Sequence, residues 1–329
     1  MRSCRSLRYN GRMKVLVVPD VHGSREWEAA KSFTQDSYDR IVFMGDYFDV
    51  RGENKWPEQG ENFEAICAFV RQDPERRKAL LGNHDWSYIS ATVHGSGCSG
   101  HQNGRAGKIK SLLLSARDIL DLAFEADGVV FSHGGFSKTW VATILRLFNM
   151  NASEWSIDFL NKFWRSLSLQ KDEAAFNYEF EELLDWHGYF SGSGNEVTQG
   201  PLWIRPEALL RDAYYQTQVV GHTEYCLGDF VALKDKDMKT GRENIVVATD
   251  SKRHQVFGII DTNNLGIQPM TLVEFNSFYK KTMKKINDIK SQVGGEPNWS
   301  QESATQKLAA AFGQPLATRF YKAFFEKEK

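Results

Sequence analysis

Five short segments carry residues that could bind cations or move protons: Asp20-Val-His22, Gly45-Asp-Tyr-Phe-Asp49, Gly82-Asn-His-Asp85, His133-Gly-Gly135 and Gly221-His222. Each directly follows a short apolar run. Carboxylate and amide oxygens suit hard divalent cations, and imidazole suits Mn, Fe, Co, Ni and Zn. A carboxylate has two oxygens, so it can span two ions. The glycines beside these residues let the backbone turn tightly. Alone, each segment is a two- or three-letter pattern that chance supplies readily. The ordered series is the informative signal, and it holds four of the eight histidines in the chain. Asp250 also follows an apolar run; it is read as a turn residue or a support behind the ligands.

The apolar runs predict strands at Lys14–Pro19, Arg40–Gly45, Lys78–Leu81, Gly128–Ser132, Thr217–Gly221, Asn244–Thr249 and Gln255–Ile260. Amphipathic stretches lie between them. Phe63, Ile66, Cys67 and Val70 share one helical face, and Trp27, Ala30 and Phe33 recur every three residues. Strand–helix alternation predicts an α/β fold. Ligands of open α/β sheets bind beyond the carboxyl ends of the strands, where these segments lie. Residues 136–190 instead carry aromatics at helical spacing, such as Trp140, Phe148, Trp155, Phe159, Phe163 and Trp164, and predict a helical insertion or cap.

The same segments resemble those of the calcineurin-like metallophosphoesterases. GDYFDVRG is similar to the GDYVDRG of the phosphoprotein phosphatase branch, and FSHGGFS to its HGGLS. Pro201-Leu-Trp-Ile-Arg-Pro206 resembles a block that carries a phosphate-binding arginine. The resemblance implies a central β-sandwich flanked by helices and two divalent metal ions; oxygen and imidazole donors without Cys admit Mn, the first expectation, and Fe, Zn, Co or Ni. It implies Asp20 and His22 on the first metal, Asp46 bridging, and Asn83, His133 and His222 on the second. It makes His84 the general acid, paired with Asp49, and Arg205 and Arg51 the phosphate contacts. The implied reaction is in-line attack on phosphorus by a hydroxide held between the ions, with a phosphoprotein or small phosphomonoester as substrate. A diadenosine-polyphosphate or nucleotide hydrolase and a nucleic-acid end phosphatase share such a centre. A catalytically dead binding protein would be expected to lose ligands, and all six positions here hold competent residues.

Two positions depart from the family pattern. Val50 separates Asp49 from Arg51, so that arginine comes one residue late. Glu224 stands where many relatives have a second histidine after Gly221-His222, and it is read as a solvated loop acid. His94 and His101 lie in or beside a Gly/Ser-rich loop that suits a surface loop or a lid over the substrate; His187 and His254 are read as ordinary.

With 329 residues, 41% of them hydrophobic, the chain can bury a large core. Its net charge of -1 does not favour long nucleic-acid substrates, whose affinity rests on many phosphate contacts. Residues 1–12 are expected to form a flexible arm, 13–275 the catalytic domain and 276–329 a helical extension. Lys280, Lys281, Lys284 and Lys285 flank the apolar positions of that extension, which leaves room for a protein partner. Four scattered cysteines without a CxxC pair predict reduced thiols. No apolar run is long enough for a leader or a membrane span, so a cytoplasmic protein is expected.

Overall fold

The computed structural model describes residues 12–33, 36–49, 58–90, 98–166, 183–184, 195–226, 229–237, 239–251, 257–294 and 301–312. Among these residues eleven strands run in chain order: β1 (Lys14–Val18), β2 (Arg40–Phe43), β3 (Arg77–Leu80), β4 (Leu120–Asp121), β5 (Ala123–Ala126), β6 (Val129–Ser132), β7 (Thr217–Val220), β8 (Val231–Lys236), β9 (Glu243–Ala248), β10 (Gly258–Asp261) and β11 (Met270–Thr271). They form two mixed sheets, ordered β10-β1-β2-β3-β4 and β11-β8-β9-β7-β6-β5. β1 through β4 are mutually parallel, as are β6, β7 and β9. Each sheet therefore gathers several carboxyl ends on one edge.

Alternation along the strands divides the core. Val15, Val17 and Val42 pack with Phe131, Val219, Ala232 and Val247 between the sheets. Their neighbours Leu16, Val18, Ile41 and Phe43 turn the other way, into a cluster with the helix α1 (Glu58–Arg71). That helix buries Phe63, Ile66, Cys67 and Val70, the face its sequence marks. On the outer face of the second sheet, Val220, Leu233 and Val246 pack with Leu209 and Phe275. Strands buried on both faces read as continuous apolar runs, and this is why β1, β2 and β6 are legible in the sequence.

Between Glu26 and Ser32 the chain forms a 3₁₀ helix. Its three-residue period matches the spacing of Trp27, Ala30 and Phe33 better than an α-helix does. α2 (Asn83–Ile89) and α3 (Ala106–Ser115) follow β3. α4 (Lys138–Leu147) and α5 (Ile157–Ser166) lie in the predicted insertion and join the main core. Trp164 is fully buried, packs edge-on against Trp86, and donates Nε1–H to the Leu120 carbonyl at 2.9 Å. Burying a large apolar side chain stabilises by roughly 1.5–3 kcal/mol. An unmet indole N–H would cancel much of that, at roughly 1–3 kcal/mol. α6 (Pro206–Asp212), α7 (Leu272–Gly294) and α8 (Gln301–Phe312) complete the described chain. Among the described residues no helix is long and apolar enough to cross a membrane.

Candidate metal centre

Each ligand candidate stands just past a strand. Asp20 and His22 follow β1, Asp46 follows β2, and Asn83 and His84 open α2 just after β3. His133 follows β6, and His222 follows β7. The loops after β1 and β2 are stitched together: Val21 N–H donates to Gly45 O, His22 N–H to Asp46 O and Gly23 N–H to Tyr47 O. Gly221 N–H donates to His133 O at 2.9 Å and links the ends of β6 and β7.

The backbone is strained where these groups converge. Seven non-glycine residues among those described adopt positive φ, and four are His22, Asp46, Asp49 and His222. Such conformations cost about 1–3 kcal/mol each and persist only where the surroundings over-determine them. Two glycines make room. A Cβ at Gly82 would overlap Asp46 Oδ1, and one at Gly221 would overlap Asp20 Oδ1.

The carboxylates are fixed by backbone donors. Asp46 Oδ1 accepts His84 N–H at 3.0 Å, and Asp20 Oδ2 accepts His222 N–H at 3.0 Å. Asp46 Oδ2 then faces His133 Nε2 at 3.5 Å and His22 Nε2 at 3.7 Å. Two imidazoles are oriented from behind: His22 Nδ1–H donates to Phe48 O at 3.2 Å, and His133 Nδ1–H to Met44 O at 2.8 Å. A carbonyl on one ring nitrogen fixes the tautomer and presents the other as a ligand.

His133 gives the clearest test of whether cations fit. Burial lowers its pKa, so the ring is neutral. With Nδ1 protonated toward Met44, Nε2 carries a lone pair. It faces Asn83 Oδ1 at 2.7 Å and Asp46 Oδ2 at 3.5 Å, and both are acceptors. Three lone-pair atoms converge with no proton to share, an arrangement a cation resolves. Cys98 sets the amide, because Asn83 Nδ2–H donates to its Sγ at 3.4 Å and Oδ1 is left facing the site. His222 Nδ1 lies 3.1 Å from the same Oδ1, and burial together with His133 pushes its pKa down to about 3. Candidate ligand atoms within 4.8 Å of one another form two groups, Asp20–Asp46–His133 and His22–Asp46–His84, and Asp46 belongs to both. The donor set suits two divalent cations.

His84 is held differently. Its Nδ1–H donates to Asp49 Oδ2 at 2.9 Å, which leaves Nε2 available. Burial works against a charged ring, but Asp46 and the bond to Asp49 outweigh it, and the pKa lies above its ordinary value. Asp49 is itself buried, and Tyr88 O–H donates to its Oδ1.

Arg205 stands at the N-cap position of α6, close enough for its charge to help depress the His222 pKa, and its buried Nε has no hydrogen-bond partner among the described residues. Glu224 is half-buried and belongs to neither ligand group. Asp250 accepts Ser251 N–H at 2.8 Å, beside the bridge between Cys226 and Ser251. His101 stacks on Tyr88 at 4.1 Å. Arg51, His94, His187 and His254 lie outside the described residues. Sequence reasoning missed Asp85, Tyr88 and Cys98. Asp85 stood in the quoted GNHD segment, but the other two belong to no pattern.

A family model described as calcineurin-like phosphoesterase matches residues 13–223. No curated protein matches the chain. Among solved structures, it is similar to a cold-active protein-tyrosine phosphatase of the psychrophile Shewanella sp., at 18% identity over 77% of this chain and 76% of that one, with a TM-score of 0.48. It is also similar to a metallophosphoesterase from Sphaerobacter thermophilus, at 12% identity over 95% of this chain and 99% of that one, with a TM-score of 0.32. The phosphatase domain of the Legionella effector WipB is similar at 18% identity, over 56% of this chain and 71% of that one, with a TM-score of 0.33.

Proposed function

The chain belongs to the calcineurin-like phosphoesterase family, a family of metal-dependent phosphoester hydrolases, and on that premise we propose that it is a phosphomonoesterase acting on a phosphoprotein or a small phosphorylated molecule. The observation that carries this reading is the pairing of a cation-ready cluster with a proton donor, His84, held by Asp49 2.9 Å away.

The family pattern would have Asp20, His22 and Asp46 hold one ion, and Asp46, Asn83, His133 and His222 the other; the distances by themselves group Asp20 with His133 and His22 with His84, with Asp46 in both. When bound, two divalent cations lower the pKa of water toward neutrality and offset charge on the phosphoryl oxygens. The chain's own groups do the rest. Asp49 fixes the His84 tautomer, so Nε2 can carry a proton to the departing oxygen. Arg205, and Arg51 from the segment after Asp49, offer planar guanidinium forks suited to phosphoryl oxygens. Manganese is the proposed metal, since oxygen and imidazole donors without thiolate suit it. The three described cysteines are free thiols, which supports a reducing, cytoplasmic setting.

The test is hydrolysis of p-nitrophenyl phosphate, bis-p-nitrophenyl phosphate, a phosphopeptide and diadenosine tetraphosphate by manganese-loaded protein. The proposal expects monoesters to be turned over fastest. Preference for the diester or for the dinucleotide would overturn the monoesterase reading while leaving the family assignment intact.

A further inference from the structure

Behind His84 and Asp49 runs a chain of buried polar groups that the reaction as described does not use. The carboxylate of Asp49 has two oxygens. Oδ2 takes the His84 Nδ1 proton, and Oδ1 takes the Tyr88 phenol proton. The Tyr88 oxygen in turn accepts Gln102 N–H at 2.8 Å. Gln102 is anchored through its side chain, whose Nε2 donates to Gln59 Oε1 of α1 at 2.9 Å. Gln59, Gln102, Tyr88, Asp49 and His84 are all buried.

The polarity of this chain is fixed by chemistry. A backbone N–H can only donate, so the Tyr88 oxygen must accept from Gln102. An ionised carboxylate can only accept, so the phenol proton must go to Asp49. With both oxygens engaged, the carboxylate cannot turn about its own axis without leaving a buried donor unmet, at roughly 1–3 kcal/mol. The plane of Asp49 sets the direction of the His84 ring.

We propose that Tyr88, held by the backbone of Gln102, is a positioning residue that fixes the Asp49 carboxylate and through it aims His84 at the leaving group. The inference rests on the reading of His84 as proton donor. It also gives the segment around His101 a role: the ring stacked on Tyr88 helps keep the phenol in place.

The experiment compares wild type, Tyr88→Phe, His84→Asn and the double variant on two monoesters. p-Nitrophenyl phosphate releases a weakly basic phenolate that needs little protonation. Glycerol 2-phosphate releases a strongly basic alkoxide that needs a proton. Tyr88→Phe is expected to lower kcat on the alkyl ester about ten- to hundredfold and on the aryl ester by less than about threefold. The double variant should lose no more on the alkyl ester than His84→Asn alone, as residues acting through one another do. Equal losses on both esters, or none, would overturn the role of Tyr88. If His84→Asn itself fails to discriminate between the esters, the proton-donor reading falls first and this proposal with it. A second measurement needs no turnover. In metal-free protein the His84 Nδ1–H proton should exchange slowly with solvent, and faster in Tyr88→Phe; equal protection in the two would contradict the proposal.

Discussion

Asp85 holds the backbone of Asp46. Its Oδ2 accepts Asp46 N–H at 2.8 Å and Gly82 N–H at 3.0 Å, while Oδ1 accepts Tyr47 N–H at 2.8 Å. One fully buried carboxylate thus ties the turn after β2 to the turn after β3 and sets the left-handed conformation of Asp46. Replacing Asp85 with Ala leaves three buried donors unmet, each costing roughly 1–3 kcal/mol before relaxation. We expect a loss of about 3 kcal/mol or more in urea unfolding, together with loss of bound metal. An unfolding midpoint within error of wild type would show that these bonds are not needed.

His84 does not help set the turn after β2 in this way; apart from its backbone N–H, its contribution is the imidazole. His84→Asn keeps that N–H for Asp46 Oδ1. Turnover of an alkyl phosphate should fall about 10²- to 10⁴-fold, with metal content per chain retained. Metal analysis alongside steady-state kinetics checks both parts, and a variant that loses its metal would make His84 a ligand instead.

Gly82→Ala places a methyl group against Asp46 Oδ1. Because Asp46 is buried and hydrogen-bonded from the turns after β1 and β3, it cannot step aside cheaply. The expected outcome is at least a tenfold fall in metal affinity, with a loss of about 1–3 kcal/mol in stability. Isothermal titration with Mn²⁺ into stripped protein reads the affinity.

Asp121 lies away from the ligands and gives a pH dependence of its own. Burial pushes its carboxyl up to about 6, against the opposing pull of Arg165 and Lys78. An unfolded Asp titrates near 3.9. Between these values the folded chain binds the extra proton, so this group favours folding at low pH, and its contribution is lost as pH rises through about 6. The loss amounts to about 2–3 kcal/mol. Asp121→Asn should flatten that part of the stability curve, as urea unfolding at pH 4.5, 5.5 and 7 would show. An unchanged slope would place the titration elsewhere.

The candidate ligands were legible because most follow strands buried on both faces, which read as apolar runs; β3, Arg77-Lys-Ala-Leu80, is buried only at Ala79 and Leu80 and shows its position by the Gly-Asn-His-Asp that follows. β8 was not legible, since Val231-Ala-Leu233 is buried while Lys234-Asp-Lys236 runs out toward solvent and breaks the pattern. β4 and β11 have two residues each, too few to show any period. The Tyr88–Gln102 support was hidden for another reason. Tyr88 meets Asp49 across 39 positions and Gln102 across 14, and nothing in either local sequence requires a hydrogen bond. Of the insertion's aromatics, Trp140 lies in α4 and Phe159, Phe163 and Trp164 in α5, while Phe148 and Trp155 stand at helix ends; Trp140 and Trp164 are core residues. Arg205 was read from its block, and its charge acts on His222, helping to lower that pKa.

The central claim is that this cluster is a two-cation centre that drives phosphoester hydrolysis. The most direct measurement titrates Mn²⁺ into metal-stripped wild type and Asp46→Asn while following both bound metal per chain and release of p-nitrophenol from its phosphate. Wild type should bind two ions per chain, with hydrolysis rising as the second is bound, and Asp46→Asn, altered at the residue common to both ligand groups, should lose both. Hydrolysis that persists undiminished in stripped protein, or in Asp46→Asn, would contradict the account.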